Sequence, residues 1–121
     1  MDIQGYDIHE KIGEGRTATV WKAYQPSLDR TVAIKVLHPG LADNREVSDN
    51  FLRGARAAAR LRHPNVVQIY DTGSSEDSTY FVTEYVYGSS LARILSQRQK
   101  IREKKALVIA QCLADALAAA E

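Results

Sequence analysis

Residues 12–35 constrain this chain more than any other stretch: Ile-Gly-Glu-Gly-Arg-Thr-Ala-Thr-Val-Trp-Lys-Ala, a short turn, then Thr-Val-Ala-Ile-Lys. Gly13 and Gly15 fall in a turn between two strand-like runs, Tyr6–Ile12 and Ala18–Tyr24. A third run, Thr31–Leu37, carries one lysine, Lys35, among apolar residues. Alternation along a strand puts Thr31, Ala33, Lys35 and Leu37 on one face and Val32, Ile34 and Val36 on the other. By the same rule Ala18, Val20 and Lys22 share a face of the second strand. A small apolar side chain and an ammonium therefore point the same way beneath a glycine-tipped hairpin. Glycines let backbone N–H groups approach phosphate oxygens, a lysine neutralises them, and Val20 with Ala33 can sandwich a flat base. The pattern suits a nucleoside triphosphate. A plain glycine hairpin beside an incidental lysine fits the same residues.

The rest of the chain excludes several alternatives. A dinucleotide-binding turn needs its glycines between a strand and a helix, whereas strand-like residues follow Gly15. A phosphate loop of the Gly-Lys-Ser/Thr type is absent. The net charge of +1 over 121 residues gives no argument for nucleic acid or an acidic membrane surface. Cys112 is the lone cysteine, so no intrachain disulfide can form, and a reducing, cytoplasmic setting is expected. Three scattered histidines make no metal-ligand spacing. The N-terminus lacks the basic and apolar segments of a signal peptide, and no apolar run is long enough to span a bilayer.

After the third strand, His38-Pro39-Gly40 reads as a turn. Asn44–Leu61 then predicts a helix with Phe51, Ala55, Ala58 and Ala59 on one face, and Arg53, Arg56 and Arg60 on a solvated one. His63-Pro64-Asn65 stops it, because proline cannot continue a helix. Val66–Asp71 and Thr79–Tyr87 predict two more strands joined by a Gly73–Ser78 loop. Two helices follow, Ser90–Gln97 and Glu103–Ala120. In the second, Ala106, Ile109, Ala110, Leu113, Leu117 and Ala120 form an apolar face. Leu107, Val108, Cys112, Ala116 and Ala119 make much of the remainder apolar, so this helix belongs inside a larger body.

Taken in order, these segments resemble the protein kinases, and most of all bacterial serine/threonine-protein kinases. Gly13-Glu14-Gly15 with Val20, then Val32-Ala33-Ile34-Lys35, is similar to the family's glycine-rich loop and strand-three lysine. Leu61-x-His63-Pro64-Asn65-Val66-Val67 resembles the segment after its helix C, and Tyr80–Gly88 its strand five and hinge. The resemblance implies an α+β fold: a five-stranded antiparallel sheet with helix C (residues 1–87, the ATP-binding lobe), then the first helices of a helical second lobe (residues 88–121). It implies ATP as ligand, held by a phosphate loop of Gly13, Glu14, Gly15, Arg16, Thr17, Ala18 and Thr19. Ile12, Val20 and Ala33 would contact adenine, and Lys35 the phosphates. Thr83 would be the gatekeeper, with the backbones of Glu84 and Val86 as the hinge.

Three departures qualify the match. Ala18 replaces the loop's third glycine. The helix-C glutamate that pairs with the strand-three lysine falls at position 54, which is Gly54. Asn50, Phe51, Ala57 and Ala58, one turn away, are not acidic, and Asp43 lies about three turns back. The His-Arg-Asp catalytic loop and the Asp-Phe-Gly metal site of the family do not occur in these residues, so no catalytic residue and no Mg²⁺ ligand is assigned. The expectation is the ATP-binding portion of a serine/threonine-protein kinase, cut before its catalytic loop and inactive by itself, engaging a protein substrate only when completed by a second lobe. The last helix is expected to drive self-association. A non-catalytic, pseudokinase-like lobe serving as a protein-interaction module is the alternative.

Overall fold

The computed structural model describes residues 2–74, 78–88, 91, 93 and 103–120. Five strands, β1 (Asp7–Glu14), β2 (Ala18–Gln25), β3 (Arg30–Leu37), β4 (Ile69–Ser74) and β5 (Thr79–Glu84), form one antiparallel sheet in the order β1-β2-β3-β5-β4. Between β3 and β4 lie a one-turn helix, α1 (Pro39–Ala42), and a longer one, α2 (Arg45–Ala59). After β5 comes α3 (Glu103–Ala120). The expected helix Ser90–Gln97 falls largely outside the described residues, although Leu91 and Arg93 are helical.

Several boundaries differ from the sequence reading, each for a local reason. β1 runs on through Gly13 and Glu14, which pair with Val20 and Thr19, so only Gly15–Thr17 connect the hairpin. His38-Pro39-Gly40 does not merely turn. Pro39 opens α1, where its missing N–H costs nothing and its fixed φ suits a first helical turn. β4 starts at Ile69 rather than Val66 and runs through Gly73 and Ser74, which pair with Tyr80 and Thr79, the Tyr80 ring lying across Gly73. A Cβ at Gly73 would sit 2.3 Å from that ring, so a side chain there would displace it. β5 ends at Glu84, three residues before the expected Tyr87.

The back face of the sheet is the core. Ala23, Val32, Ile34 and Val82 are fully buried there with Val36, and Trp21, Tyr70 and Tyr80 pack around them. The N-terminal segment covers this face: Ile3 is buried in the cluster, and Gly5, at φ 93°, lets the chain double back so that Tyr6 N–H reaches the Ile3 oxygen.

α2 lies on the opposite, front face. Asn44 caps it, its Oδ1 accepting from the N–H groups of Glu46 and Val47. Ser48, Leu52 and Ala55 are its buried line, which shares only Ala55 with the predicted stripe. Ala59 is exposed. The Ser48 hydroxyl donates to the Ala42 oxygen at 2.9 Å and lies 3.4 Å from the Thr79 hydroxyl, joining α1, α2 and β5.

α3 is tied on by Asn65, whose Nδ2 donates to the Cys112 oxygen at 3.0 Å. Its better-covered residues are Ile109, Cys112 and Ala116, whereas Leu113 and Leu117 of the predicted face are 54% and 68% exposed. No helix among the described residues is long and apolar enough to cross a membrane.

Candidate functional site

The pairing register decides which side chains share the front face. Val20 pairs with Lys35 and Lys22 with Ala33 across β2 and β3. Lys35 pairs with Phe81 and Ala33 with Thr83 across β3 and β5. Directly opposed residues project to the same side of an antiparallel sheet. Val20, Lys22, Ala33, Lys35, Phe81 and Thr83 therefore form one surface, and Ile12, exposed, lies at the register shift of the neighbouring β1. None of the six is fully buried: Lys35 is exposed and the others are half-buried. A small-residue floor (Ala33), a branched apolar wall (Val20), an ammonium (Lys35) and a hydroxyl (Thr83) thus lie within two residues of one another across three strands.

The stretch expected to act as the hinge follows directly. Glu84 is the last residue of β5, and its N–H donates to the Gln68 oxygen while its carboxylate accepts from the Gln68 N–H at 2.9 Å. This two-point clamp occupies the Glu84 side chain and leaves its carbonyl for other work. Thr83 Oγ1 donates to that carbonyl at 3.0 Å, but a carbonyl oxygen has a second lone pair. Val86, 61% exposed, stands clear beyond. Tyr85 packs edge-on against Tyr87 and takes the Lys22 ammonium over its ring at 5.1 Å, which pins the hinge to β2.

Above this surface the β1–β2 hairpin presents Gly13 and Glu14 at the end of β1, then Gly15, Arg16 and Thr17 in the turn, with Ala18 and Thr19 opening β2. Neither Gly13 nor Gly15 adopts a positive φ, so neither is needed there for a left-handed conformation. Gly15 donates its N–H to the Ala18 oxygen at 2.8 Å, so that amide is already engaged.

Among the described residues Lys35 has no carboxylate partner. Among the described residues the one ion pair is Lys11–Glu14, and the Lys35 ammonium instead lies 5.9 Å from the Phe81 ring centre. Phe81 stacks at 5.0 Å on Phe51 of α2, which fixes α2 on the Lys35 side of the sheet. Gly54, one turn after Phe51, is exposed and has nothing within 4 Å of where a Cβ would stand. The missing acid at position 54 is therefore not replaced by a described neighbour, although there is room for a side chain.

Three contributors escaped the sequence reading. Gln68 clamps Glu84, Lys22 holds Tyr85, and His38 bonds the hairpin turn from the end of β3. Lys22 could have been found from its place on the Val20 face. Gln68 and His38 act through register and loop geometry that no local pattern encodes. His38 also borders a cavity of about 450 Å³ on the back face, with Thr19, Trp21 and Val36. Arg53 and Arg56 on α2, and Arg60 at its C-terminal cap, are exposed, as expected.

Comparison with known proteins decides the family. Residues 6–120 match the protein kinase domain. The chain belongs to the protein kinase family. It is 41% identical over 112 residues to a probable serine/threonine-protein kinase of Clostridium acetobutylicum, and 40% identical over 113 residues to the serine/threonine-protein kinase PrkC of Bacillus subtilis. Each alignment covers 93% of this chain and 17% of the relative, so the chain spans about a sixth of these curated relatives. The kinase domain of Mycobacterium tuberculosis PknI superposes with a TM-score of 0.81 at 26% identity, over 99% of this chain and 49% of that one. The five-stranded antiparallel sheet with its helices is thus the N-terminal region of a protein-kinase fold.

Proposed function

We propose that this chain is the ATP-binding portion of a serine/threonine-protein kinase, with the nucleotide on the front face of the sheet. The observation that carries the reading is the register that gathers Val20, Ala33, Lys35 and Thr83 on one open surface beside the hinge. Adenine lies between Val20 and Ala33, with Ile12 at its edge, and hydrogen-bonds the Glu84 carbonyl and the Val86 N–H. The phosphates run toward Lys35 beneath residues 13–19. Mg²⁺, which in such enzymes bridges the phosphate oxygens and neutralises the developing charge, has no ligand assigned in this chain. Phosphoryl transfer to a protein serine or threonine therefore needs a catalytic loop beyond these residues, and the 121-residue chain is inactive by itself, with the cytoplasm as its expected setting.

Amide exchange with and without ligand tests the site. Both ATP and adenosine should slow exchange at Glu84–Val86. No protection by either ligand anywhere on the front face contradicts the reading.

A second reading, a pseudokinase-like lobe that docks a protein partner, is favoured by Gly54 and the uncompensated Lys35. The coding sequence beyond residue 121 separates the two: a His-Arg-Asp loop there supports the enzyme, and its absence the docking module.

A further inference from the structure

We propose that His38 is a positioning residue for the phosphate loop, holding the hairpin so that the N–H groups of Arg16 and Ala18 are left free for an anion. The assignment deepens the nucleotide reading above and rests on it.

His38 stands three residues past Lys35 and bonds the hairpin region at three places. Its backbone N–H donates to the Thr17 oxygen at 2.8 Å. Its ring Nε2 lies 2.9 Å from the Gly15 oxygen, and its Nδ1 lies 3.4 Å from the Thr19 hydroxyl. A carbonyl oxygen can only accept, so Nε2 carries the hydrogen. In the neutral ring Nδ1 then accepts from Thr19. A tight hairpin can close with reciprocal bonds between the residues at either end of its turn. Here Gly15 N–H donates to the Ala18 oxygen, but the Gly15 oxygen turns to the imidazole instead.

The consequence follows from peptide planarity. A trans peptide holds its C=O and N–H antiparallel. Fixing the Gly15 and Thr17 carbonyls on His38 therefore turns the N–H groups of Arg16 and Ala18 away from it. Neither amide has an acceptor among the described bonds of the hairpin. Main-chain N–H groups free of internal partners and close in sequence are what an anion-binding concavity is made from. His38 directly follows β3, so its contacts tie the hairpin to the strand that carries Lys35. A solvent-facing turn residue would leave its ring in water, whereas this ring is half-buried and bonded at both nitrogens.

Three substitutions separate positioning from bulk. In His38→Gln the amide nitrogen reaches the place of Nε2; in His38→Asn it reaches only that of Nδ1; His38→Ala removes both. Without ligand, the Gly15 amide should exchange about threefold faster or more in the Ala and Asn variants and stay within about twofold in the Gln variant, as loss of one hydrogen bond implies. ATP, but not adenosine, should slow exchange at Arg16 and Ala18 in the wild type and in His38→Gln. In the Ala and Asn variants that effect should vanish while hinge protection persists. The proposal is overturned if ATP still protects Arg16 and Ala18 in all three variants, if Asn and Gln behave alike, or if hinge protection is lost together with loop protection. If neither nucleotide protects the wild-type hinge, the nucleotide reading has failed, and the Gly15 exchange rate alone decides: unchanged in His38→Asn overturns the strap, faster supports it. Should His38→Ala not fold, the Gln and Asn pair carries the same comparison.

Discussion

On the back of the sheet Ala23, Val32, Ile34 and Val82 lose all contact with solvent beneath Ile3 and Tyr6, while on the front Lys35 is exposed and Val20, Ala33 and Thr83 are half-covered. The same three strands supply both faces, by alternate residues. Ile34 and Lys35 are neighbours in sequence, yet one is core and the other faces the open side. The period of two lets a short strand hold the fold together with one set of side chains and keep the other set for a ligand. α2 closes only part of the front, through Phe51 on Phe81, and leaves the area between the hinge and the hairpin uncovered. Of the two lysines on this surface, Lys22 is drawn over the Tyr85 ring, which leaves the exposed Lys35 ammonium beside the half-covered apolar side chains.

The contrast can be broken most forcefully in the core. Ile34→Ala should cost about 2–5 kcal/mol in chemical denaturation, as large-to-small changes at fully buried sites do, whereas Lys35→Met next to it should stay within about 0.5 kcal/mol. Equal losses at the two positions would mean the faces are not energetically distinct.

The second contrast is between the packed sheet and α3. Leu113 and Leu117 are exposed there, and burying one such side chain is worth about 1.5–3 kcal/mol. We expect the 121-residue chain to self-associate through this helix. Sedimentation velocity should show a shift toward monomer in a Leu113→Ser, Leu117→Ser double variant. A wild-type chain that is monomeric across micromolar concentrations would refute this.

A smaller effect is expected at position 54, where an exposed glycine sits within α2 and faces open space. Gly54→Ala should raise stability by up to about 1 kcal/mol from helix propensity alone. Gly54→Glu tests more, since it also offers Lys35 a carboxylate. A greater gain for Glu than for Ala, abolished by Lys35→Met, would measure the missing ion pair.

The smallest expected effect is alkaline. Burial, and secondarily the nearby Asp71 carboxylate, raises the pKa values of Tyr6 and Tyr80 above 10.0. The fold favours their neutral forms, so their contribution is full below pH 10.0 and is lost as pH rises through the raised values. Tyr80→Phe should flatten the fall of the denaturation midpoint above that pH. An unchanged slope would place the titration elsewhere.

Much of this was legible in the sequence because strands announce their faces. Val32, Ile34 and Val36 against Ala33 and Lys35 gave the two sides of β3, and Pro64 gave the end of α2. The missing acid at position 54 was also readable, since it is an identity and not a geometry. Strand ends were harder. β1 continues through two residues that looked like turn, because pairing with Val20 and Thr19 prevails over local preference. His38 was hidden among Pro and Gly, and its role depends on a contact with Gly15, 23 residues away. The buried line of α2 and the covered line of α3 are set by which neighbour arrives, and each kept only one residue, Ala55 or Ile109, of the most apolar stripe.

The central claim is that the open front face is the nucleotide site, and filling it without touching the core tests that most directly. Ala33→Phe places a ring where adenine would lie, between Val20 and Thr83, at a half-buried position. Calorimetric titration with ATP should show binding to the wild type and none to Ala33→Phe, with the thermal midpoints of the two proteins within a few degrees. Equal ATP affinity for both proteins would contradict the account.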